Sequence, residues 1–336
     1  MKPEYNVYVK TTSTCNLNCD YCYTGGRTKD IRFDPVKTSD WVKKLLTKVS
    51  RIRIKFHGGE PLYDNLVDDI LLFISLLKDF RAKIDYDITT NLTYRLNDKI
   101  LYLFRAYIES GIISTSWDIP YRFKTKSDLC LWESNVQELI NSGLKVYVKA
   151  MMNDVVVAKS PKSLIEYFNQ LGIHYLQLDS ITGDSKLKNR DVDDFLVRFY
   201  EEYRCRKDLT YSCVTMDDYL SSLRLNLTYP SSCNARTCNR DNITINPDGS
   251  IAGCPDNWKN TYSHISDMDI DGIVDRKNKS LCKAINLEKM IPTGCSGCEF
   301  LSVCGAGCSR SKCDDTGCPG YYNLMRVMNQ DVRREE

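Results

Sequence analysis

Three cysteines near the start of the chain have the spacing of an iron–sulfur ligand set. Cys15, Cys19 and Cys22 follow the pattern C-x3-C-x2-C within the run from Thr14 to Tyr23. Thiolates are the ligands that iron–sulfur clusters use. Three thiolates can bind three irons of a 4Fe–4S cube and leave the fourth iron open for chemistry. The alternatives are ordinary buried thiols or a zinc loop, and a structural zinc would want a fourth protein ligand.

A second segment suited to ligand binding is Gly58-Gly59-Glu60-Pro61, which ends a predicted strand. Two glycines allow a backbone to approach a ligand closely. Glu60 offers its carboxylate, or the neighbouring carbonyl groups, to an ammonium group. The alternative is a strand-to-helix turn with proline at the first helical position.

Together these segments resemble the radical S-adenosylmethionine (SAM) enzymes, including the aromatic residue, Tyr21, before the third cysteine. The resemblance implies that the three cysteines bind a 4Fe–4S cluster whose open iron binds SAM. The glycine–glutamate–proline segment would bind the SAM amino group, and Tyr21 would lie over the adenine. Polar residues at the ends of later strands would also contact SAM: Asn91, Ser116 and Lys149. The family often has Ser-x-Asp-Gly where this chain has Ser116-Trp-Asp-Ile119, without the glycine.

The C-terminal third contains an array of cysteines. Ten of the sixteen cysteines lie from Cys233 onward, and four of them form C-x2-C-x5-C-x3-C. The array resembles the SPASM domain, which carries two auxiliary 4Fe–4S clusters in radical SAM enzymes, and the alternative is a zinc-ribbon module. The resemblance implies a first ligand set of Cys233, Cys238, Cys254 and Cys308. It implies a second set of Cys295, Cys298, Cys304 and Cys318, with Cys313 competing for the last place.

Four other cysteines belong to no motif: Cys130, Cys205, Cys213 and Cys282. We expect them to be small buried apolar residues.

Composition excludes several classes of protein. The net charge of +2 gives no reason to expect nucleic acid or an acidic membrane surface as a partner. No run is long and apolar enough for a membrane helix, and the N-terminus lacks the apolar core of a signal peptide. We therefore expect a cytoplasmic location, where cysteines stay reduced and favour metal binding.

The alternation of strand and helix signals predicts the α/β class. Six strands separated by helices indicate a parallel sheet with right-handed crossovers, closed as a partial (β/α)6 barrel. Asp34 and Pro35 predict a helix start, and Asn246-Pro-Asp-Gly249 predicts a hairpin turn. The later strands are expected at 84–90, 112–118, 145–152 and 175–181. Three segments follow along the chain: the barrel core at 1–190, a helical bridge at 191–230 and the cysteine-rich SPASM domain at 231–336.

The combination predicts a radical SAM oxidoreductase that matures a ribosomally made peptide or protein by forming a thioether or carbon–carbon crosslink. Its cofactors would be SAM and three 4Fe–4S clusters. Asp256 is a candidate base, and its alternative is a solvent-exposed turn residue. Sulfatase-maturing relatives place an aspartate directly after the cysteine that Cys254 matches, where this chain has Pro255, which lowers formylglycine formation as the favoured reaction.

The remaining expectations concern partners and alternative functions. Fourteen residues precede Cys15, so either a separate protein recognises a leader peptide or the core binds the substrate directly. An electron donor such as flavodoxin or ferredoxin is also expected. The alternative functions are a formylglycine-type sulfatase maturase, a small-molecule radical SAM dehydrogenase and a non-catalytic zinc-binding scaffold protein.

Overall fold

The structure is a computed structural model that describes residues 4–23, 30–181, 187–228, 236–257, 259–310, 317–318 and 320–335. Its strands are β1 (Glu4–Lys10), β2 (Arg51–His57), β3 (Ile84–Ile88), β4 (Ile112–Trp117), β5 (Lys145–Met152), β6 (Tyr175–Ser180), β7 (Ser212–Cys213), β8 (Asn242–Ile245), β9 (Ser250–Ala252) and β10 (Thr261–His264). Its helices are α1 (Pro35–Lys48), α2 (Leu66–Leu76), α3 (Asp98–Ala106), α4 (Lys126–Asn141), α5 (Asp154–Val157), α6 (Pro161–Gln170), α7 (Asn189–Arg204), α8 (Val214–Leu225), α9 (Cys238–Asp241), α10 (Ile270–Val274), α11 (Lys279–Glu288), α12 (Leu301–Cys304) and α13 (Tyr322–Glu335).

The strands form two sheets. The first has the order β10-β9-β8-β1-β2-β3, and the second has the order β4-β5-β6-β7. Strands β1, β2 and β3 are parallel, with Val7 opposite Ile54 and Ile54 opposite Tyr86. Strands β5, β6 and β7 are also parallel. The predicted α/β class is confirmed, and the first six strands with their intervening helices are consistent with the predicted partial (β/α)6 barrel.

The hairpin predicted near residue 246 is present, and it has a second role that the sequence did not indicate. Strands β8 and β9 are antiparallel, joined by a turn in which the Gly249 amide donates to the Asn246 carbonyl at 2.9 Å. Strand β8 also pairs in parallel with β1, with Ile243 opposite Val7. The segment around Cys254, which follows β9, is therefore attached to the strand that leads into the first cysteine loop.

Helix α1 begins where the sequence predicts it, and it buries the face that the spacing of its apolar residues indicates. The Asp34 side chain accepts hydrogen bonds from the amides of Val36 and Lys37, and Pro35 occupies the first helical turn. The apolar positions at helical spacing are all fully buried: Trp41, Val42, Leu45, Leu46 and Val49. Burial of this face against the sheet contributes roughly 1.5–3 kcal/mol for each large side chain.

The chain divides into two compact units. The first contains Met1–Thr115, Thr125–Lys145 and Thr237–Leu287, and the second contains Ser116–Lys124, Val146–Arg236 and Glu288–Glu336. The division follows contacts in space, whereas the segment boundaries predicted at 190 and 230 follow the chain, and those boundaries stay a prediction. No helix in the described ranges is long and apolar enough to cross a membrane.

Candidate active site

The first cysteine loop begins where β1 ends and is fixed to its neighbours by backbone hydrogen bonds. The Thr11 amide donates to the His57 carbonyl at 2.9 Å, which ties the loop to the end of β2. Cys15, Cys19 and Cys22 are all half-buried, and the Cys22 amide donates to the Cys19 carbonyl at 3.1 Å. The three thiols therefore lie on one short, partly accessible turn at the C-terminal end of β1. Tyr21 is half-buried within this turn.

The glycines of the second segment are required by the cysteine loop itself. The Gly59 amide donates to the Thr12 carbonyl at 2.8 Å, and the Glu60 amide donates to the Thr14 carbonyl at 2.9 Å. A Cβ on Gly59 would lie 1.9 Å from the Thr14 carbonyl oxygen, and one on Gly58, which has φ +141°, would lie 2.6 Å from that of Thr12. The absence of side chains lets the two segments lie side by side. Pro61 continues the segment, and its carbonyl accepts the Thr11 hydroxyl at 3.4 Å.

The Glu60 carboxylate accepts hydrogen bonds from within the protein. The residue is 1% exposed. One carboxylate oxygen accepts the Thr90 hydroxyl at 2.6 Å and the Leu62 amide at 3.2 Å, and the other accepts the Asn91 amide at 2.6 Å. Three donors aimed at one buried acceptor group are the arrangement that suits an ionised carboxylate. Glu60 therefore fixes the residues that follow β3.

Asn91 makes contact with the cysteine loop. Its Nδ2 donates to the Asn16 Oδ1 at 2.7 Å and lies 3.5 Å from the Cys15 Sγ. Its Oδ1 accepts the Thr93 amide at 2.8 Å and the Thr93 hydroxyl at 2.7 Å. The Leu17 amide also donates to the Cys15 Sγ, at 3.3 Å. Cys15 thus has two N–H donors beside its sulfur.

The side chain of Lys10 lies beside Pro255 and Tyr23, which directly follow the candidate cluster ligands Cys254 and Cys22. It is 2% exposed at the end of β1. Its Nζ donates to the Pro255 carbonyl at 2.7 Å and lies 4.7 Å from the centre of the Tyr23 ring. Burial lowers the pKa of Lys10 to about 7, opposed by the negative charges of Asp256, Cys254 and Cys22. Asp256 is half-buried in the turn after Cys254, not a fully exposed turn residue.

The two remaining residues that the sequence predicts to contact SAM belong to the second unit. Ser116 is half-buried on β4, and Lys149 is half-buried on β5, where it is opposite Gln177 of β6. Asp118, two residues after Ser116, is fully buried and accepts the Arg122 amide at 3.0 Å.

The structure brings together two members of the first auxiliary ligand set. Cys238 begins α9 and Cys254 follows β9, and a hydrogen bond from the Cys238 thiol lowers the pKa of Cys254. Cys308 is half-buried in the second unit. Cys233 lies outside the described residues.

The second auxiliary ligand set lies within one short stretch of the second unit. Cys295 and Cys304 are buried, and Cys298 and Cys318 are half-buried. A Cβ built on Gly320 would lie 2.2 Å from the Cys304 Sγ and 3.7 Å from the Cys318 Sγ. Burial, together with the charges of Cys318 and Cys295, raises the pKa of Cys304 to about 11. Cys313 lies outside the described residues.

The donor sets fit iron–sulfur chemistry. Sulfur donors on short loops, with backbone amides near them, are the ligand type and environment of Fe–S clusters. Buried thiols such as Cys304 are costly to ionise unless a metal accepts the thiolate. Among the described residues there is no group of three Cys, His, Asp or Glu side chains placed to hold a single metal ion.

Of the four cysteines without a motif, one is buried as expected and two are exposed. Cys213 is fully buried, as predicted, and burial raises its pKa to about 12. Cys130 and Cys205 are exposed, so the prediction that they are buried is wrong. Cys130 lies on α4, and Cys205 directly follows the last residue of α7. Cys282 is half-buried, and its thiol donates to the Arg276 carbonyl at 2.9 Å.

Three residues near the site had no place in the sequence analysis: Lys10, Asn16 and Thr93. Lys10 is buried at the end of β1, but it lies on the face opposite Val7 and Val9, where the alternation of the strand allows a polar residue. The sequence therefore gives no signal of its burial. Asn16 and Thr93 carry no signal by themselves, because their role depends on the approach of two loops far apart in the chain.

Comparison with known proteins gives a family. The profile of the Radical SAM superfamily matches residues 9–196, more than half of the chain. A probable GTP 3',8-cyclase of Methanococcus aeolicus is 28% identical over 222 residues, which are 62% of this chain and 72% of that protein. The radical SAM cyclopropyl synthase TigE of Paramaledivibacter caminithermalis is 21% identical over 339 residues, which are 90% of this chain and 67% of TigE.

Comparison with solved structures identifies proteins that share the fold of this chain. The structure of anSMEcpe with bound AdoMet and Cp18Cys peptide is similar with a TM-score of 0.78 at 20% identity, over 99% of this chain and 97% of that one. Streptococcus suis SuiB bound to precursor peptide SuiA has a TM-score of 0.66 at 12% identity, over 94% of this chain and 76% of that one. The cysteine-rich C-terminal part of the chain fits the SPASM type. From the profile match, the shared fold and the cysteine loop after β1, we conclude that this chain belongs to the radical SAM superfamily.

Proposed function

We propose that this protein is a radical SAM peptide maturase that removes hydrogen from a ribosomally made peptide and closes a thioether or carbon–carbon crosslink in it. Membership of the superfamily establishes the radical SAM enzyme class, with SAM and a 4Fe–4S cluster as cofactors. The peptide substrate and the crosslink are the proposal. The observation that carries it is the shared fold, over 94% or more of this chain, with two structures that hold peptides.

The proposed SAM site uses the residues at the C-terminal ends of the strands. Cys15, Cys19 and Cys22 would bind the cluster. The SAM contacts would come from residues predicted for that role: Tyr21, Gly58, Gly59, Glu60, Pro61, Ser116 and Lys149. Asn91 was predicted with them, but its side chain lies against the cysteine loop. Because the Glu60 carboxylate already accepts three hydrogen bonds, we assign the contact with the SAM amino group to the backbone carbonyls of this segment.

The cysteine-rich segment at 231–336 would hold two auxiliary clusters, beyond the barrel core at 1–190 and the bridge at 191–230. The ligand sets are those implied by the SPASM resemblance: Cys233, Cys238, Cys254 and Cys308, then Cys295, Cys298, Cys304 and Cys318. When bound, the cofactors supply a 5′-deoxyadenosyl radical that removes a hydrogen atom and an acceptor for the electron that leaves as the crosslink forms.

Asp256 would accept the proton that balances this reaction. Loss of a hydrogen atom, then of an electron and a proton, removes two hydrogens in all. Lys10 donates to the Pro255 carbonyl at 2.7 Å, and the negative charge of Asp256 favours the protonated form of Lys10. Lys10 thereby holds the turn that presents the Asp256 carboxylate. We assign the role of base to Asp256 as part of the proposal, which requires that the substrate proton come within hydrogen-bond reach of its carboxylate.

The partners of the proposed reaction follow from its chemistry. The substrate is a precursor peptide, recognised by the barrel core or through a separate leader-binding protein. Each turnover needs an electron from a donor such as flavodoxin or ferredoxin. Reduced thiols of the kind required here persist in the cytoplasm, which is the location we propose.

A second candidate function is GTP 3',8-cyclisation, because relatives with that name match this chain in sequence. The fold of the C-terminal part favours the peptide maturase, since the likeness to the peptide-bound anSMEcpe structure includes 99% of this chain. Incubation with GTP in place of peptide separates the two candidates.

The test is anaerobic incubation of the reconstituted enzyme with SAM, a reductant and the short peptide encoded beside it. We expect the peptide mass to fall by two hydrogen atoms, with fragmentation placing the loss across two linked residues. A variant with alanine at Cys15, Cys19 and Cys22 is the control and should leave the peptide unchanged. Loss of both hydrogens from a single serine would indicate formylglycine formation, and consumption of SAM with an unchanged peptide would refute the crosslink.

A further inference from the structure

The side chain of Asn91 is placed to act on Cys15. We infer that Asn91 is a positioning residue that holds the Cys15 sulfur through its Nδ2 and raises the reduction potential of the cluster bound there, and that its side chain does not contact SAM. The inference rests on the proposed assignment of Cys15 as a cluster ligand. It replaces the direct SAM contact that the sequence predicts for Asn91.

The hydrogen-bonding capacity of the Asn91 amide is fully used within the protein. A primary amide has two donor hydrogens and two acceptor sites on its oxygen. The donors go to the Asn16 Oδ1 at 2.7 Å and the Cys15 Sγ at 3.5 Å. The acceptor sites take the Thr93 amide at 2.8 Å and the Thr93 hydroxyl at 2.7 Å. The amide therefore retains no capacity to bind a polar group of SAM.

Asn16 and Thr93 fix the direction in which the amide points. The Asn16 Nδ2 donates to the Thr93 carbonyl at 2.8 Å and to the Thr93 hydroxyl at 3.0 Å, which closes a ring of hydrogen bonds through Asn91. Asn91 and Thr93 are 5% and 7% exposed. Because Asn91 must present its oxygen to Thr93, its Nδ2 must face the cysteine loop, and this settles the orientation of the amide.

The backbone of the same turn is held independently. The Asn91 amide donates to the Glu60 carboxylate at 2.6 Å. Leu92, fully buried, has φ +53°, a left-handed conformation that leucine adopts only when its surroundings require it. The turn after β3 is therefore fixed both through its side chains and through its backbone, so that the Nδ2–H is held beside the Cys15 sulfur.

An N–H donor beside a cluster sulfur has a defined electronic effect. Hydrogen bonds to the sulfurs and nearby charge set the potential of an Fe–S cluster. A donor stabilises the reduced cluster, which carries the extra negative charge, so its removal lowers the potential. Replacement of the amide by a carboxylate removes the donor and adds a negative charge, and should lower the potential further.

The test uses the full-length reconstituted enzyme and three variants: Asn91→Ala, Asn91→Asp and Thr93→Val. Thr93→Val leaves the Nδ2 donor in place and removes two bonds of the ring that orients it, from the Thr93 hydroxyl to the Asn91 Oδ1 and from the Asn16 Nδ2 to that hydroxyl. Asn135→Ala is the matched control, because Asn135 donates to the Leu92 and Tyr94 carbonyls of the same turn without facing the cysteines. Redox titration followed by electron paramagnetic resonance, with the signal that changes on SAM addition, reports the potential of the SAM-binding cluster. Equilibrium binding gives the SAM Kd.

We expect Asn91→Ala to lower the ratio of reduced to oxidised cluster about tenfold at a given potential. This change corresponds to a reduction potential that is lower by about 59 mV. The reduction potential of Asn91→Asp should be lower still, that of Thr93→Val should lie between wild type and Asn91→Ala, and that of Asn135→Ala should match wild type. All four variants should bind SAM with a Kd within about threefold of wild type. If Asn91→Asp takes up no SAM-binding cluster, Asn91→Ala and Thr93→Val decide by the same titration.

Unchanged potentials in the Asn91 variants would overturn the inference, as would an equal fall in Asn135→Ala or a SAM Kd weakened more than about tenfold at an unchanged potential. A Cys15→Ala variant separates this failure from that of the proposed function. If Cys15→Ala keeps all of its iron, the ligand assignment itself is wrong. If it loses the SAM-responsive signal while the Asn91 variants behave as wild type, only the inference about Asn91 is wrong.

Discussion

Replacement of Glu60 by glutamine tests whether its carboxylate holds the fold together or binds a ligand. The carboxylate is 1% exposed and accepts donors from Thr90, Leu62 and Asn91 at 2.6, 3.2 and 2.6 Å. Glutamine has the same shape and keeps one oxygen, which can still accept the Asn91 amide. Its amide group can donate to the Thr90 hydroxyl if that hydroxyl rotates, but it leaves the Leu62 amide facing another donor.

The expected cost follows from those three bonds. A buried donor left without a partner costs roughly 1–3 kcal/mol, and a hydrogen bond to a charged group contributes roughly 1.5–3 kcal/mol. Glu60→Gln loses one acceptor and weakens two charge-assisted bonds, so we expect the free energy of unfolding to fall by about 2–4 kcal/mol. Glu138→Gln, on the exposed face of α4, is the matched control and should change it by less than about 0.5 kcal/mol.

Urea denaturation of the reduced, cluster-free chain, followed by tryptophan fluorescence, measures this difference. Trp41 and Trp132 are fully buried in the same unit as Glu60 and report its unfolding. The reasoning is refuted if Glu60→Gln unfolds like Glu138→Gln while the reconstituted variant binds SAM more than about tenfold more weakly. That result would place the carboxylate against the ligand.

Three further predictions follow from the geometry. Gly59→Ala would place a Cβ 1.9 Å from a carbonyl oxygen of the cysteine loop, so iron analysis should show a loss of about four irons per chain. Gly143→Ala should keep them, because its φ of +79° adds only local backbone strain and its Cβ meets nothing within 4 Å. Cys318→Ala should likewise lose about four irons and Cys313→Ala none, because Cys318 lies close enough to Cys304 for its charge to raise the pKa of that thiol; the reverse result would exchange the two ligands. Lys10 has a folded pKa of about 7 against an ordinary 10.5, so the unfolded chain binds more protons between those pH values. The stability of the cluster-free wild type relative to Lys10→Met should therefore rise from pH 7 to 8.5 by about 1 kcal/mol per pH unit in urea denaturation, and a pH-independent difference would contradict the shifted pKa.

The sequence was sufficient to predict those elements of the fold that local residue patterns determine. Alternating burial in β2 and helical spacing in α1 predict the observed elements, because each element buries one face against a common core. The hairpin at β8 and β9 was predicted from its turn residues. The pairing of β8 with β1 was not, because it depends on the approach of a strand from more than 200 residues away in the chain.

In the candidate site too, the sequence predicts the features that depend on local spacing and misses those that depend on distant contacts. Cys15, Cys19 and Cys22 were predicted because their spacing is local. The sequence indicated that Gly58 and Gly59 allow a close approach of the backbone. It could not reveal that the cysteine loop is the segment that approaches them. The network through Asn16, Asn91 and Thr93 joins segments about 75 residues apart, and no periodic pattern records such a contact. The exposure of Cys130 was missed because a cysteine on a helix gives no indication of which face it occupies.

The central claim is that the Cys15, Cys19 and Cys22 loop supports radical cleavage of SAM. The most direct test is the anaerobic reaction of the reconstituted chain with SAM and a strong reductant, with 5′-deoxyadenosine and methionine quantified together with iron. We predict equal amounts of the two products from an enzyme holding about twelve irons, and no products from a variant that has alanine at all three positions and keeps about eight irons. Product formation by that variant, or its absence from the fully loaded wild type, would contradict the claim.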